Sequence, residues 1–304
     1  MAVAGLHHVT AISASAQATL DFHVRVLGLR LVKRTVNFED ARAWHLYFGN
    51  EGGAPGTLIT FFAAAGTRPG GRGGAGMATS WALAVPRDSL DGWKRRLKRL
   101  GVPVTESPGR FGDRALAVDD PDGLRVELVE SETRAADPWP LGLHAVTLTV
   151  TDAGPTVAIL EGLFGMRVAA GDETLRRVSA GAAVGSHVDV LQAPRAAQGR
   201  LAAGAIHHVA FRARDDEHQA ALLAAVRASG LTASDVLDRK YFRSFYFRER
   251  GGVLFEVATD PPGFAVDENA ETLGETLCLP PWLEGERAAI AAALPPLRGA
   301  ARAM

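Results

Sequence analysis

A fourfold internal repeat constrains the fold of this 304-residue chain more than any other feature. Each copy begins with a short apolar strand, continues through a polar stretch of helical character, and reaches a glycine turn 20 to 22 positions after the strand. Further strand-like runs follow each turn, which gives a unit of one strand, one helix and three strands. The strand and turn positions of the four copies are His8 with Gly28, Trp81 with Gly101, Ala145 with Gly165, and His208 with Gly230.

The repeated unit predicts an α+β fold built from four βαβββ modules. A single module leaves a sheet edge and an apolar face uncovered, so the modules have to pair. Pairing produces curved half-barrel domains, each with a concave side that can hold a ligand. We expect the four modules at residues 1–64, 77–131, 141–193 and 203–260, followed by a C-terminal tail at residues 261–304 that packs over the sheets.

Two pairs of adjacent histidines stand at equivalent positions in the first and last modules. HHVT begins at His7 and HHVA begins at His207, each in the first strand of its module. Acidic residues stand in register in the last strand of three modules, 44 to 48 positions later, whereas module 1 has Thr60 or Phe61 there. These acids are Glu127, Asp189 and Glu256.

Imidazoles and a carboxylate together form a ligand set for a divalent metal. Strand alternation sends the two histidines of a pair to opposite faces, and the repeat spacing alone does not select between them. One histidine from each pair with Glu256 would make the two-histidine, one-carboxylate set of non-haem Fe(II) oxygenases, which leaves three positions open. Such a site requires module 1 to pair with module 4. Modules 2 and 3 would then pair with each other, and their acids, which have no imidazole at the matching positions, are interpreted as structural or vestigial.

Charge and composition narrow the classes of partner. The formal net charge is −1 and 47% of the residues are hydrophobic, so we expect an ordinary globular protein that does not bind nucleic acid. The sequence lacks both a signal-peptide pattern at its start and a run of about 20 apolar residues, so we expect no membrane association. The lone cysteine, Cys278, excludes a thiolate metal cluster and suits the cytoplasm. A homo-oligomer is left open.

Several motifs together resemble the vicinal-oxygen-chelate superfamily. In a chain of four βαβββ units, HHVT, HHVAF and GGVLFEVATDPPGF resemble most closely its hydroquinone-type ring-cleaving dioxygenases. The resemblance extends through KRTVNFEDARAWHLYFGN and DENAETLGETLCLP, and therefore covers nearly the whole chain. It implies an extradiol-type enzyme that uses Fe(II), or alternatively Mn(II), to insert both atoms of O₂ into an aromatic diol of hydroquinone or catechol type.

The resemblance also implies a metal site and contacts to the substrate. It assigns the metal to the second histidine of each pair and to the acid of module 4, which are His8, His208 and Glu256. It assigns the substrate to two residues that flank the first ligand, His7 and Thr10.

Three further residues have catalytic roles by the same resemblance. His207 would transfer protons, since histidine ordinarily titrates near neutral pH, while Tyr246 and Arg239 would hold a substrate oxygen. The alternatives are a surface ion pair of Arg239 with Asp238 or Glu249, and a simple core position for Tyr246.

Two other functions fit the same scaffold. A glyoxalase-like isomerase or lyase would need a fourth protein ligand, which Thr60 or Phe61 does not supply. A metal-free small-molecule binding protein would be expected to have lost its ligand residues, whereas all three are present here.

Overall fold

The computed structural model describes residues 2–64 and 66–299. The first sheet is formed by modules 1 and 4. Module 1 contributes β1 (Leu6–Ser13), α1 (Ala16–Leu20) with a π-helical turn (Asp21–Val26), β2 (Arg30–Asn37), β3 (Asp40–Gly49) and β4 (Leu58–Ala64). Module 4 contributes β13 (Ala205–Ala213), α4 (Asp216–Ala228), β14 (Leu237–Asp238), β15 (Arg243–Arg248) and β16 (Leu254–Thr259).

The second sheet is formed by modules 2 and 3. Module 2 contributes β5 (Met77–Val85), α2 (Leu90–Arg99), β6 (Thr105–Ser107), β7 (Ala115–Asp119) and β8 (Arg125–Glu130). Module 3 contributes β9 (Gly142–Val150), α3 (Ala153–Gly162), β10 (Arg167–Gly171), β11 (Leu175–Ser179) and β12 (His187–Gln192).

The strand order confirms the predicted α+β fold and the pairing of modules. It is β14-β15-β16-β13-β1-β4-β3-β2 in one sheet and β10-β11-β12-β9-β5-β8-β7-β6 in the other. First strands meet antiparallel at the centre of each sheet, β1 beside β13 and β5 beside β9. The end modules are therefore neighbours in space although they lie at opposite ends of the sequence. The exact module boundaries stay a prediction.

Local sequence signals account for the helices between the strands. Side chains of Ser15, Asp152 and Asp215 cap α1, α3 and α4 by accepting a backbone N–H of the first turn. In α2 the buried side chains recur at helical spacing and face the core, while basic residues occupy its last turn.

One apolar core joins the two sheets. Phe61 of β4 and Trp81 of β5 pack edge to face with ring centroids 6.1 Å apart. Trp81, the counterpart of His8 in module 2, is thus a core residue. Because Phe61 points into this core, alternation directs its neighbour Thr60 to the concave side of the first sheet.

The C-terminal tail lies against module 1. It contains three 3₁₀ turns (Phe264–Val266, Ala270–Thr272 and Pro281–Glu286) and α5 (Arg287–Ala293). Lys33 of β2, which is fully buried, pairs with Asp267 at 2.7 Å and with Glu268 at 2.5 Å. Among the described residues, no helix combines the length and hydropathy that a membrane span requires.

Candidate metal centre

Three buried side chains converge on the concave side of the first sheet. His8 Nε2 lies 3.3 Å from His208 Nε2 and 3.3 Å from Glu256 Oε2, and His208 Nε2 lies 2.8 Å from the same oxygen. The strands that carry them, β1, β13 and β16, are adjacent in the sheet. Pairing of the end modules thus brings together the three residues that the sequence assigns to a metal.

The side chains of His8 and His208 each contact the histidine that precedes them in the sequence. The Nδ1 atoms of His7 and His8 lie 2.9 Å apart, and those of His207 and His208 lie 2.8 Å apart. A contact of this kind needs one donor and one acceptor. When His8 and His208 donate their Nδ1–H, their Nε2 atoms keep a free lone pair, as a metal ligand requires.

The surroundings of Glu256 fit a bound divalent cation. Its carboxylate is fully buried, and neither oxygen has a hydrogen-bond partner among the described residues. Ligand atoms about 2.1 Å from a metal at right angles lie about 3 Å from each other, close to the spacings seen here. Burying a carboxylate against two lone pairs is costly, and a cation would remove that cost.

Two adjoining cavities open on this cluster. The inner one has a volume of about 30 Å³ and is bordered by all three residues, His8, His208 and Glu256. That volume suits one water molecule or one ion. The outer cavity has a volume of about 480 Å³, enough for a small aromatic molecule, and it also borders His208.

Arg239 and Tyr246 line both cavities. Tyr246 lies opposite Glu256 in the neighbouring strand, and its ring centroid is 5.6 Å from that of His208. The Cζ atom of Arg239 lies 5.2 Å from the centre of the Tyr246 ring. The guanidinium pairs with Glu39, so the alternative of a surface pair with Asp238 or Glu249 is wrong.

Electrostatic surroundings keep both of these side chains protonated. Burial, with the charge of Glu256, raises the pKa of Tyr246 far above its ordinary value. Burial alone would lower the pKa of Arg239, but Tyr246 and Glu39 have the larger, opposite effect. The net pKa of Arg239 is therefore above its ordinary value. Both side chains therefore remain hydrogen-bond donors toward the cavity at neutral pH.

The histidines that precede the ligands lie in different surroundings. His207 lines the outer cavity, and burial together with His208 lowers its pKa to about 3. Its ordinary titration near neutral pH, on which the sequence-based expectation relied, is therefore absent. His7 is buried against Phe242, with ring centroids 5.1 Å apart, and is not among the described residues that line the two cavities.

Thr10 belongs to a chain of polar side chains behind the cluster. Its Oγ1 lies 2.8 Å from Thr60 Oγ1, which lies 3.0 Å from His45 Nε2. Tyr47 OH in turn lies 3.0 Å from His45 Nδ1. Thr60 is thus engaged with other side chains, and Thr10 does not border either cavity among the described lining residues.

Sequence reasoning missed several residues that border the cavities, namely Asn37, Glu39, His45, Tyr47, Phe62 and Phe242. One signal was available for two of them. In WHLYFG the side chains alternate, so a polar His45 and Tyr47 on one face of β3 indicate an inward polar face.

The matching region of the second sheet contains arginines. Arg177 makes two hydrogen bonds to the buried carboxylate of Asp189, at 2.8 and 2.9 Å, and one to Asp113 at 2.8 Å. Arg110 lies 3.8 Å from Glu127 and 3.6 Å from Asp189. Guanidinium groups thus neutralise the acids that correspond to Glu256, which agrees with a structural role for them.

Comparison with known proteins gives matches over nearly the whole chain. A protein from Bacillus subtilis (strain 168), "Putative ring-cleaving dioxygenase MhqO", is 44% identical over 305 residues, covering 96% of each chain. The chlorohydroquinone/hydroquinone 1,2-dioxygenase of Sphingobium indicum is 36% identical over 300 residues, covering 93% of each.

Solved structures share the fold. A crystal structure of a Bacillus subtilis protein superimposes with a TM-score of 0.93 at 41% identity, covering 99% of each chain. Glyoxalase I from Zea mays reaches a TM-score of 0.65 at 17% identity, covering 84% of this chain and 92% of that one. The sequence pattern of a large family matches residues 5–128 and 142–257. The chain therefore belongs to the Glyoxalase/Bleomycin resistance protein/Dioxygenase superfamily.

Proposed function

We propose that this protein is a ring-cleaving dioxygenase that inserts O₂ into an aromatic diol at a divalent metal held by His8, His208 and Glu256. The observation that carries the proposal is the convergence of two imidazole nitrogens and one unpartnered, buried carboxylate within 2.8 to 3.3 Å. Fe(II) is the metal that a facial set of two histidines and one carboxylate suits best in oxygenases, and Mn(II) accepts the same ligands.

The substrate we propose is a hydroquinone, in which the two hydroxyls stand para. Support comes from the Sphingobium indicum relative, whose name specifies chlorohydroquinone and hydroquinone. The outer cavity has room for one substituted ring, and Ile12, Phe62 and Leu254 give it apolar walls. A catechol remains the alternative substrate that the experiment below distinguishes.

The chain's own residues would bind the diol and handle its protons. Tyr246 and Arg239 can donate hydrogen bonds to a substrate oxygen as negative charge develops on it. His207 is neutral, and if its Nδ1 accepts from His208 its Nε2–H can donate into the outer cavity. His7 would fix the orientation of His8 from behind and would not contact substrate, which modifies the role expected for it.

A bound Fe(II) or Mn(II) supplies the one-electron chemistry that lets an aromatic diol react with O₂. The protein contributes an enclosed site. Phe62 and Phe242 pack against His208 and His8, with ring centroids 6.5 and 5.3 Å apart. These rings limit the access of water to the ligands and keep the imidazoles in one orientation.

The proposal is tested by O₂ consumption of the Fe(II)-loaded protein with hydroquinone and with catechol. We expect one O₂ to be consumed per hydroquinone, with both atoms of ¹⁸O₂ in the product, and a much lower rate with catechol. Glu256→Gln serves as the matched control, since it keeps the shape of the side chain but removes its charge, and we expect it to lose activity.

Two outcomes would contradict the proposal. Isomerisation of a glutathione hemithioacetal without O₂ uptake would indicate a glyoxalase-like enzyme. Tight binding of a diol by protein that holds no metal, with no O₂ consumption after Fe(II) loading, would indicate a binding protein. Faster cleavage of catechol would overturn only the choice of hydroquinone.

A further inference from the structure

The hairpin between β2 and β3 places a carboxylate at the mouth of the outer cavity. Glu39 lies at its tip, where its backbone N–H donates to Asn37 Oδ1 at 3.0 Å. Its neighbour Phe38 packs on Trp282 of the tail, with ring centroids 5.6 Å apart. The hairpin is therefore held against the rest of the protein at a fixed place beside the cavity.

Glu39 forms an ion pair with Arg239, which lies 200 residues further along the chain. The Glu39 side chain is 60% exposed, whereas that of Arg239 is only 17% exposed. The pair therefore extends from solvent to the inside of the site. Its inner end stacks on Tyr246, the residue opposite Glu256.

The charges around the outer cavity favour an uncharged occupant. Among the described residues that line it, Arg239 is the single cation, and it is already paired with Glu39. Asp40 adds a second carboxylate to the lining.

A negatively charged ring substituent would meet two unfavourable effects here. It would approach the carboxylate of Glu39, and it would find the guanidinium already engaged. Repulsion between like charges in a partly desolvated site is a common means of rejecting the wrong ligand. The apolar walls formed by Ile12, Phe62 and Leu254 offer nothing to offset this cost.

We propose that Glu39 is a specificity-determining residue: by neutralising Arg239 at the mouth of the cavity, it restricts the enzyme to diols with uncharged ring substituents and excludes ring carboxylates. This inference rests on the proposed function, since it takes the outer cavity as the site of the diol ring. It assigns Glu39 a role in choosing among diols, distinct from the chemistry of the metal site.

The test compares Glu39→Gln with the wild type on two substrates, methylhydroquinone and 2,5-dihydroxybenzoate. The measured quantity is the ratio of kcat/KM for the carboxylate to kcat/KM for the uncharged diol. Glu39→Gln frees Arg239 to bind a carboxylate, so we expect the ratio to rise by a factor of about ten or more. Anaerobic calorimetry with the same two compounds gives a second readout, in which the affinity for the carboxylate should rise.

Two control variants separate a freed guanidinium from a general loss of negative charge. Asp40→Asn removes one charge from the same hairpin, but Asp40 pairs with Arg42 and leaves the Glu39–Arg239 pair intact. We expect it to change the ratio by less than about threefold, because exposed charges are well screened. In Arg239→Met, adding Glu39→Gln should no longer raise the affinity for the carboxylate measured by calorimetry.

Three results would overturn the inference. The first is a wild type with equal kcat/KM for the two compounds. The second is a Glu39→Gln protein whose kcat/KM ratio equals that of the wild type. The third is an equal change of that ratio in Glu39→Gln and Asp40→Asn. Failure of the proposed function looks different, because then no diol is cleaved at all. In that case the calorimetric comparison still decides whether Glu39 excludes the carboxylate.

Discussion

His8 Nε2 and His208 Nε2 lie 3.3 Å apart although 200 residues separate them in the sequence. They meet because β1 and β13 are antiparallel neighbours, with Thr10 opposite His208. The candidate site thus exists only when the two ends of the chain have paired. Folding of the first sheet and formation of the site are one event, and ligand binding there should stabilise that pairing.

The two histidines of the second pair should respond differently to substitution. His207→Ala removes the group that holds His208 Nδ1, so we expect metal affinity to fall by about 10–100-fold while saturating metal still binds. Activity at saturating metal should also fall by about 10²–10³-fold, because the outer cavity loses the hydrogen-bond donor that His207 supplies. His208→Ala should lose metal and activity together. Metal titration beside an oxygen-electrode assay checks this, and metal loss confined to His207→Ala would contradict it.

The buried ion pairs of Lys33 with the C-terminal tail should stabilise the folded protein. Lys33→Met leaves Glu268 without its cation and Asp267 with Lys240 alone, so we expect the free energy of unfolding to fall by about 3 kcal/mol. Chemical denaturation measures this change. Lys94→Met is a suitable control, because the Lys94–Glu106 pair is exposed and its loss should leave the midpoint nearly unchanged. Equal effects of both substitutions would contradict the role given to the buried pair.

Burial of His23 should make stability depend on pH. Its Nδ1–H donates to Thr19 O at 2.9 Å, and burial lowers its pKa to about 4. The unfolded chain, with a histidine pKa of about 6.5, then binds the proton first, so stability falls as pH falls from about 6.5 toward 4. Between pH 7 and pH 4.5 this one group should cost about 2 kcal/mol.

His23→Phe should lose that part of the pH dependence while it keeps the ring contacts with Phe48 and Phe61. Urea unfolding at the two pH values gives the comparison. Identical losses of stability in wild type and variant would show that His23 does not titrate as its burial requires.

Arg177 should stabilise the second sheet without affecting the metal. Arg177→Met removes both close hydrogen bonds to the buried Asp189 and leaves it only Arg110 at 3.6 Å, so we expect a loss of about 3 kcal/mol in stability and unchanged metal content. Arg176→Met, one residue away on the opposite face of β11 and only partly buried, should have little effect on either. Loss of metal in Arg177→Met at a temperature where the protein is folded would count against separate roles for the two sheets.

The sequence is sufficient to predict the fold and the meeting of the three candidate ligands because both depend on the repeat. The repeat places one histidine of each pair and Glu256 in modules 1 and 4, and the family resemblance then selects His8 and His208. Because these residues belong to modules 1 and 4, a shared metal site requires those two modules to pair. No comparable reasoning reaches Glu39, since the loop between the second and third strands differs in length and sequence from one module to the next.

Two other features depend on three-dimensional surroundings that no pattern encodes. His7 and His207 occupy the same place in their pairs, yet only His207 borders the outer cavity, because Phe242 covers His7. The pKa of His207 is lowered by burial, which a sequence cannot give. The choice between Thr60 and Phe61 was open for a similar reason, since it depends on the contact of Phe61 with the second sheet.

Metal content tests the central claim most directly. Protein loaded with Fe(II) or Mn(II) and freed of excess metal should hold about one ion per chain by elemental analysis. His8→Ala, His208→Ala and Glu256→Ala should each lose most of it, whereas His187→Ala, which removes a histidine of the second sheet, should keep it. Metal retained in all three ligand variants would mean that His8, His208 and Glu256 do not hold it, and the proposed site would be wrong.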